Sequence, residues 1–176
     1  GQGGLDERTG FASQAEVVVK ARLAADHAGA TPLDRPEWVA VHPHTGEVFV
    51  TLTNNTQRGG HGRPGADAAS PRAPNPFGHI TRLREAGADA GALQFEWDHF
   101  VLAGDPALPG AGTRYPSADA DIFGAPDGLH FDSGGLLWIQ TDDGGQNIGK
   151  GPYARLGNNA MLCADPGTGR IKRFLT

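Results

Sequence analysis

The sequence predicts an all-β fold: antiparallel four-stranded blades of a β-propeller, about two of them in this chain. Three observations lead there. Short runs of β-branched and aromatic residues alternate with Gly-, Pro- and Asp-rich turns. The strand–turn–strand unit that begins at Pro36-Glu37 is written a second time from Pro126-Asp127. Each copy is followed by a further hairpin, so the unit is four strands, repeated after roughly ninety residues. In the repeat, Val39 and Val41 fall on Leu129 and Phe131, and Gly46 falls on Gly135 after a one-residue deletion. Val48, Phe49 and Val50 fall on Leu137, Trp138 and Ile139. The blade-like units span about 37–98 and 127–175, and residues 1–36 form a preceding segment.

Residues 1–13 are glycine-rich and read as irregular. Residues 16–21 alternate loosely and fit a strand, while the Ala, Lys and Arg content of 15–27 fits a short helix. A proline-bearing loop, 28–36, leads to the first hairpin. Its strands are 38–42 and 47–53, reversed at His44-Thr45-Gly46, where Gly46 is free to take a positive φ. Residues 54–78 make a long polar loop with five Gly and four Pro, the kind of connection that is usually functional or disordered. Strands follow at 79–84 and 93–98 across a turn region, 85–92. A second excursion, 100–126, carries Asp105, Asp119 and Asp121. The second main hairpin follows, then a polar loop over 143–159. The last hairpin pairs 160–165 with 170–175 across Pro166-Gly167-Thr168-Gly169.

Composition narrows the function classes. The 176 residues suit one modest domain, and 27 Gly with 13 Pro favour a turn-rich β fold. A formal net charge of −5 gives no electrostatic footprint for nucleic acid. No apolar run approaches the ~18 residues that cross a bilayer, so no membrane partner is expected. No signal peptide is visible, and the lone Cys163 excludes an internal disulfide. Two blades cannot close a ring, and closure protects sheet edges. The chain is therefore expected to be part of a larger protein or to rely on other copies of itself. Its start at Gly1 and its stop after a strand read as cuts through a longer chain.

Chemistry concentrates at the mouths of the two first strands. Glu37 and Asp127 hold equivalent repeat positions, each directly after a proline, and both would point into one channel mouth. Facing carboxylates repel unless a cation lies between them or one is protonated. A hard, oxygen-binding cation such as Ca²⁺ suits the pair. Arg35, two residues before Glu37, has the planar fork that matches a phosphate. Asp105, Asp119 and Asp121, and likewise Asp142, Asp143 and Asn147, read as solvated loop residues, since their spacing matches no calcium loop. The histidines lack zinc-helix spacing. Trp38, Trp97 and Trp138 read as core, and Cys163 as a buried apolar residue. No nucleophile elbow and no phosphate-binding glycine loop is present.

Several ordered motifs run along nearly the whole chain. They are Arg35-Pro36-Glu37-Trp38-Val39-Ala40-Val41-His42-Pro43, Thr51-Leu52-Thr53-Asn54-Asn55 and Asn75-Pro76-Phe77-Gly78-His79-Ile80. Leu102-Ala103-Gly104-Asp105-Pro106, Pro126-Asp127-Gly128-Leu129, Leu137-Trp138-Ile139-Gln140-Thr141-Asp142 and Gly157-Asn158-Asn159-Ala160-Met161-Leu162 continue the series. So do Gly1-Gln2-Gly3-Gly4-Leu5 and Phe11-Ala12-Ser13-Gln14-Ala15-Glu16. Taken together, these motifs resemble the PhoX-type calcium-dependent bacterial alkaline phosphatases. The resemblance implies a six-bladed propeller and a periplasmic or secreted enzyme exported by the twin-arginine route. It implies hydrolysis of phosphate monoesters at a cluster of Ca²⁺ and iron in the channel mouth. Glu37 and Asp127 would be metal ligands and Arg35 would contact the phosphate. Family members are several times longer, and their remaining ligands, including an iron-binding cysteine, lie before the matched region. Cys163 does not match that cysteine. These residues alone would hold a minority of the site and are expected to be inactive by themselves.

Two other readings stay open. Pro126-Asp127-Gly128-Leu129 with Asp132 and Gly135-Leu136-Leu137-Trp138-Ile139 also resembles calcium-dependent lactonases of the gluconolactonase kind, which Arg35-Pro36-Glu37 and Gly157-Asn158-Asn159 fit less well. A non-catalytic propeller fragment that only binds or assembles is the third.

Overall fold

The computed structural model describes residues 4–176, which fall into two compact units, one ending at Pro32 and the other running Leu33–Thr176. Positions 1–3 of the expected irregular start, with the motif residues there, lie outside the described residues, and the rest of it contains a short 3-10 turn, Glu7–Thr9, capped by Asp6.

The first unit is helical. Ser13 caps α1 (Gln14–Val19) by accepting from the Glu16 N–H at 3.2 Å, and the Glu16 carboxylate accepts from Ala12 N–H at 2.7 Å. α2 (Ala21–His27) follows after Lys20, whose φ of −101° and ψ of 32° interrupt the helix. The strand expected over 16–21 is therefore not formed. The Ser-x-x-Glu cap outweighs the weak strand preference of Val17, Val18 and Val19. Among the described residues no helix is long and apolar enough to cross a membrane.

The second unit holds two four-stranded antiparallel sheets, each a meander in chain order. The first comprises β1 (Pro36–Val41), β2 (Val48–Leu52), β3 (His79–Glu85) and β4 (Phe95–Leu102). The second comprises β5 (Pro126–Phe131), β6 (Leu137–Thr141), β7 (Met161–Ala164) and β8 (Ile171–Leu175). β4 begins later and runs longer than the 93–98 expected. Leu93 is exposed, and pairing with β3 starts at Glu85↔Phe95 and continues to His79↔Leu102.

The turns show why these strands reverse where they do. In the first hairpin, His42 Nδ1 accepts from the N–H groups of His44 and Thr45, and Gly46 sits at φ 74°. In the second, Asp132 Oδ1 accepts from Gly134 and Leu136, and Gly135 sits at φ 87°. The repeat of turn glycines holds although the capping side chain differs.

β1 and β2 pack against β5. Phe49 is fully buried and sets its ring edge-on to Phe100 of its own sheet at 5.4 Å and to Phe131 of the other at 5.2 Å. Ile80, Val101, Leu137, Ile139, Leu162 and Ile171 complete the fully buried centre. Two tryptophans depart from the core placement. Trp38 is 53% exposed on β1, a strand that leaves Val39 and Val41 exposed as well, and Trp97 lies exposed beside His99. Trp138 is half-buried, edge-on to Phe174, with its Nε1–H donated to Asp132.

The polar loop after β2 is tied down. Asn55 and Asn75 exchange both backbone hydrogen bonds, at 2.6 and 2.9 Å, closing its neck. Buried Arg72 then donates to the carbonyls of Gly78 and Ala103, joining the loop to the segment after β4.

Candidate functional site

Glu37 and Asp127 share a backbone device as well as a sequence position. Pro36 pairs with Leu52 and Val39 with Val50, so Glu37-Trp38 faces the single residue Thr51. Pro126 pairs with Thr141 and Leu129 with Ile139, so Asp127-Gly128 faces the single residue Gln140. Each acid is the first residue of a β-bulge, which re-aims a side chain. The residue before each proline is left-handed: Arg35 at φ 49° and Ala125 at φ 46°. Such non-glycine conformations cost on the order of 1–3 kcal/mol and persist where surrounding contacts impose them. At Gly128 an added Cβ would meet the flexible end of the Gln140 side chain, and the first bulge carries Trp38 at the equivalent place. Thr51 links the two bulges through its hydroxyl.

The charges gather around these bulges. Arg35 Nη2 lies 3.2 Å from Glu37 Oε1, and Arg35 Nη1 donates to Asn54 Oδ1 at 2.8 Å. Partial burial pushes the Asp127 carboxyl above the usual carboxylate range; the charges of Glu37 and Asp142 push it the same way, and Arg35 opposes them. The structure therefore places Glu37, Asp127, Asp142 and Arg35 in one electrostatic field. Asp142 enters because its N–H donates to the carbonyl of left-handed Ala125 at 2.9 Å, which docks the end of β6 beside the second bulge. A cavity of about 560 Å³ opens there, lined by Arg35, Asn54, Asp142, Gln146, Asn147 and Lys150 among others.

The remaining sequence candidates take structural places. Asp105 is not solvated: it is buried, bonded to Arg155 at 2.9 and 3.1 Å, and accepts from Ala107 N–H. Asp119 is exposed beside Ser117 and Lys172, and Asp121 accepts from Arg173 N–H. Asp143 is also not solvated. It is 4% exposed, and burial, with Asp142 next, pushes its carboxyl up to about 6. Asn147 lines the cavity. Cys163, in β7, is half-buried rather than buried, and desolvation raises its thiol. His79 is fully buried and His99 partly so; their Nε2 atoms meet the carbonyls of Ala69 and Ala68.

Two supporting residues carry no local sequence signal. Asp34 is fully buried and accepts from Asn55, Arg58 and Asn75, which lie 21, 24 and 41 positions away. Asn159 clamps the second site: its Oδ1 accepts from Asp143 N–H and its Nδ2 donates to the Asp143 carbonyl.

Carboxylate oxygens are the donors a hard cation takes; burial first, then the charges of Glu37 and Asp142, raise Asp127, and a cation would relieve the charge part. Glu37 and Asp127 thus offer a partial oxygen-donor set of the kind a hard cation takes. It does not fit a thiolate-bound iron, because Cys163 belongs to β7 and sits among Asp132 and Asp165 instead. Among the described residues no three His, Cys, Asp or Glu side chains gather into a metal-binding group.

The chain matches, over residues 3–176, the family model described as alkaline phosphatase PhoX. It is similar in structure to Pseudomonas fluorescens PhoX in complex with vanadate, a transition state analogue. That match has a TM-score of 0.89 and 46% sequence identity, and covers 100% of this chain and 30% of the other. The chain thus spans about a third of the length of the solved structure it matches. No curated protein matches the sequence.

Proposed function

The chain belongs to the alkaline phosphatase PhoX family, and on that premise we propose that it forms part of a phosphatase that hydrolyses phosphate monoesters at the mouth of a propeller channel. The observation that carries this reading is the paired bulge. It brings two carboxylates from two blades into one field, with a guanidinium beside them. The PhoX structure it matches is in complex with vanadate, a transition state analogue, which supports a phosphate-like anionic substrate.

In this reading Glu37 and Asp127 hold Ca²⁺, which supplies charge neutralisation at the phosphate. Arg35 offers its fork to the equatorial phosphate oxygens, and Asn54 fixes that fork in place. Asp142 and Lys150 border the space where the alcohol part of the ester would lie. The further ligands, those for iron included, come from residues outside these 176, whether other blades or other copies. The chain by itself then holds a minority of the site and is inactive alone. The periplasm, or secretion, is the proposed location.

The test is p-nitrophenyl phosphate hydrolysis and metal content of the full gene product and of this chain, with Ca²⁺ and iron supplied. Glu37→Ala and Asp127→Ala serve as controls. Hydrolysis by the full product that both substitutions abolish is the expected result. Hydrolysis unchanged by either removes the two carboxylates from the site.

A further inference from the structure

We propose that Asp34 is a positioning residue for phosphate binding, acting through its neighbour Arg35. The proposal rests on the phosphatase reading above. Asp34 has no exposed surface. Its Oδ1 accepts from Arg58 Nε at 2.6 Å and Asn55 Nδ2 at 2.9 Å, and its Oδ2 from Asn75 Nδ2 at 2.9 Å. A buried carboxylate held by three donors is fixed in orientation as well as neutralised.

The next residue is the left-handed Arg35. Two consecutive pairs run alongside each other here. Asp34 is bonded by Asn55, while the Arg35 guanidinium is bonded to Asn54. The Arg35 carbonyl also accepts from Thr53 N–H at 3.2 Å. The Asp34 carboxylate therefore joins three segments: the entry to β1, the exit of β2 and the approach to β3. Arg35 is held between the first two in a conformation that an unrestrained arginine avoids.

Its side chain is more than half exposed, so nothing buried holds the guanidinium at its own end. The fork stays near Glu37 because its backbone and Asn54 are fixed from behind. Loosening Asp34 lets Arg35 relax to negative φ and swings the fork away from the carboxylates. Misplacement of about 1 Å in such a group costs about a hundredfold in rate.

The experiment is a double-mutant cycle in the full gene product loaded with calcium. Asp34→Asn, Asn55→Ala, Arg35→Ala and both Arg35→Ala doubles are assayed for kcat and KM on p-nitrophenyl phosphate, and for inhibition by vanadate. Circular dichroism checks the fold. Asp34→Asn should lower kcat/KM about ten- to a hundredfold and weaken vanadate inhibition in parallel. Asn55→Ala should do the same to a smaller degree. On the Arg35→Ala background each should change kcat/KM less than about twofold.

Full additivity on that background would sink the inference, and so would normal kcat/KM in both folded single variants. If Asp34→Asn does not fold, Asn55→Ala decides alone, since it removes one donor from a half-buried site. A phosphatase whose Arg35→Ala variant is as active as wild type loses both this inference and the role of Arg35. A large Arg35→Ala loss with additive Asp34 effects overturns the inference and leaves the phosphatase reading standing.

Discussion

The hydroxyl of Thr51 donates to the backbone carbonyl of Asp127 at 2.7 Å while accepting from Trp38 N–H at 3.0 Å. One buried side chain from β2 thus ties the bulge that carries Glu37 to the bulge that carries Asp127. Thr51→Val keeps the shape and strands both backbone partners, which should cost about 1–3 kcal/mol in urea denaturation. Thr51→Ser should recover most of it. Equal stability of the valine and serine proteins would show that the hydroxyl does not join the sheets.

Asp127→Asn removes one carboxylate with little change in volume. Activity of the full product at saturating substrate should fall about a hundredfold. Treatment with EGTA should abolish wild-type hydrolysis, and calcium should restore it. The Asp127→Asn protein should need more calcium for half-restoration, read from a calcium titration of p-nitrophenyl phosphate turnover. An unchanged calcium requirement would place Asp127 away from the cation.

Gly78, at φ 70°, passes so close to β2 that an added Cβ would overlap the carbonyl oxygens of Leu52 and Thr53 and lie 2.6 Å from the Thr53 carbonyl carbon. All three are backbone atoms and cannot swing aside. Gly78→Ala should therefore destabilise the full product by at least about 2 kcal/mol, seen as a lowered urea midpoint at unchanged slope.

Burial, helped by His99 and Arg72, pulls the His79 imidazole down from 6.5 to about 4. The unfolded chain then binds the extra proton between pH 6.5 and 4 while the folded chain does not. Stability from this group is complete above pH 6.5 and falls as the pH drops toward 4, by up to about 3 kcal/mol. His79→Gln should flatten that part of the stability profile, measured by urea denaturation at pH 7, 6, 5 and 4. A slope that survives the substitution would assign it to other groups.

Much of this architecture is legible in the residues themselves. Gly46 and Gly135 announce two equivalent hairpins, and the acid after each proline marks two equivalent strand mouths, because turn chemistry is local, whereas the bulges there appear only in the strand register. What stays hidden is set by distant partners. Asp34 looks like any loop aspartate until Asn55, Arg58 and Asn75 are brought to it. Asp143 differs from Asp142 only in which way the end of β6 turns it, one buried and one exposed. Trp38 is misread as core because β1 leaves its apolar residues uncovered, Val39 and Val41 included, and composition does not reveal which strand lacks a cover. The helical stretch at 14–27 is ambiguous for a different reason: three consecutive valines speak for a strand and the Ser13 cap for a helix.

The closed neck at Asn55 and Asn75 makes the tip of the loop between them a candidate handle for engineering. Residues 60–64 form a small turn of their own, shut by Gly59 N–H to the Pro64 carbonyl, and exposed His61 stands in it. Cys163 is the lone cysteine of the sequence, and it is only half-buried. Cys163→Ala with His61→Cys would leave one thiol at the tip. A dye placed there would hang outside the Asp34 network, ready to report on the approach of a neighbouring blade or copy without touching the groups it approaches.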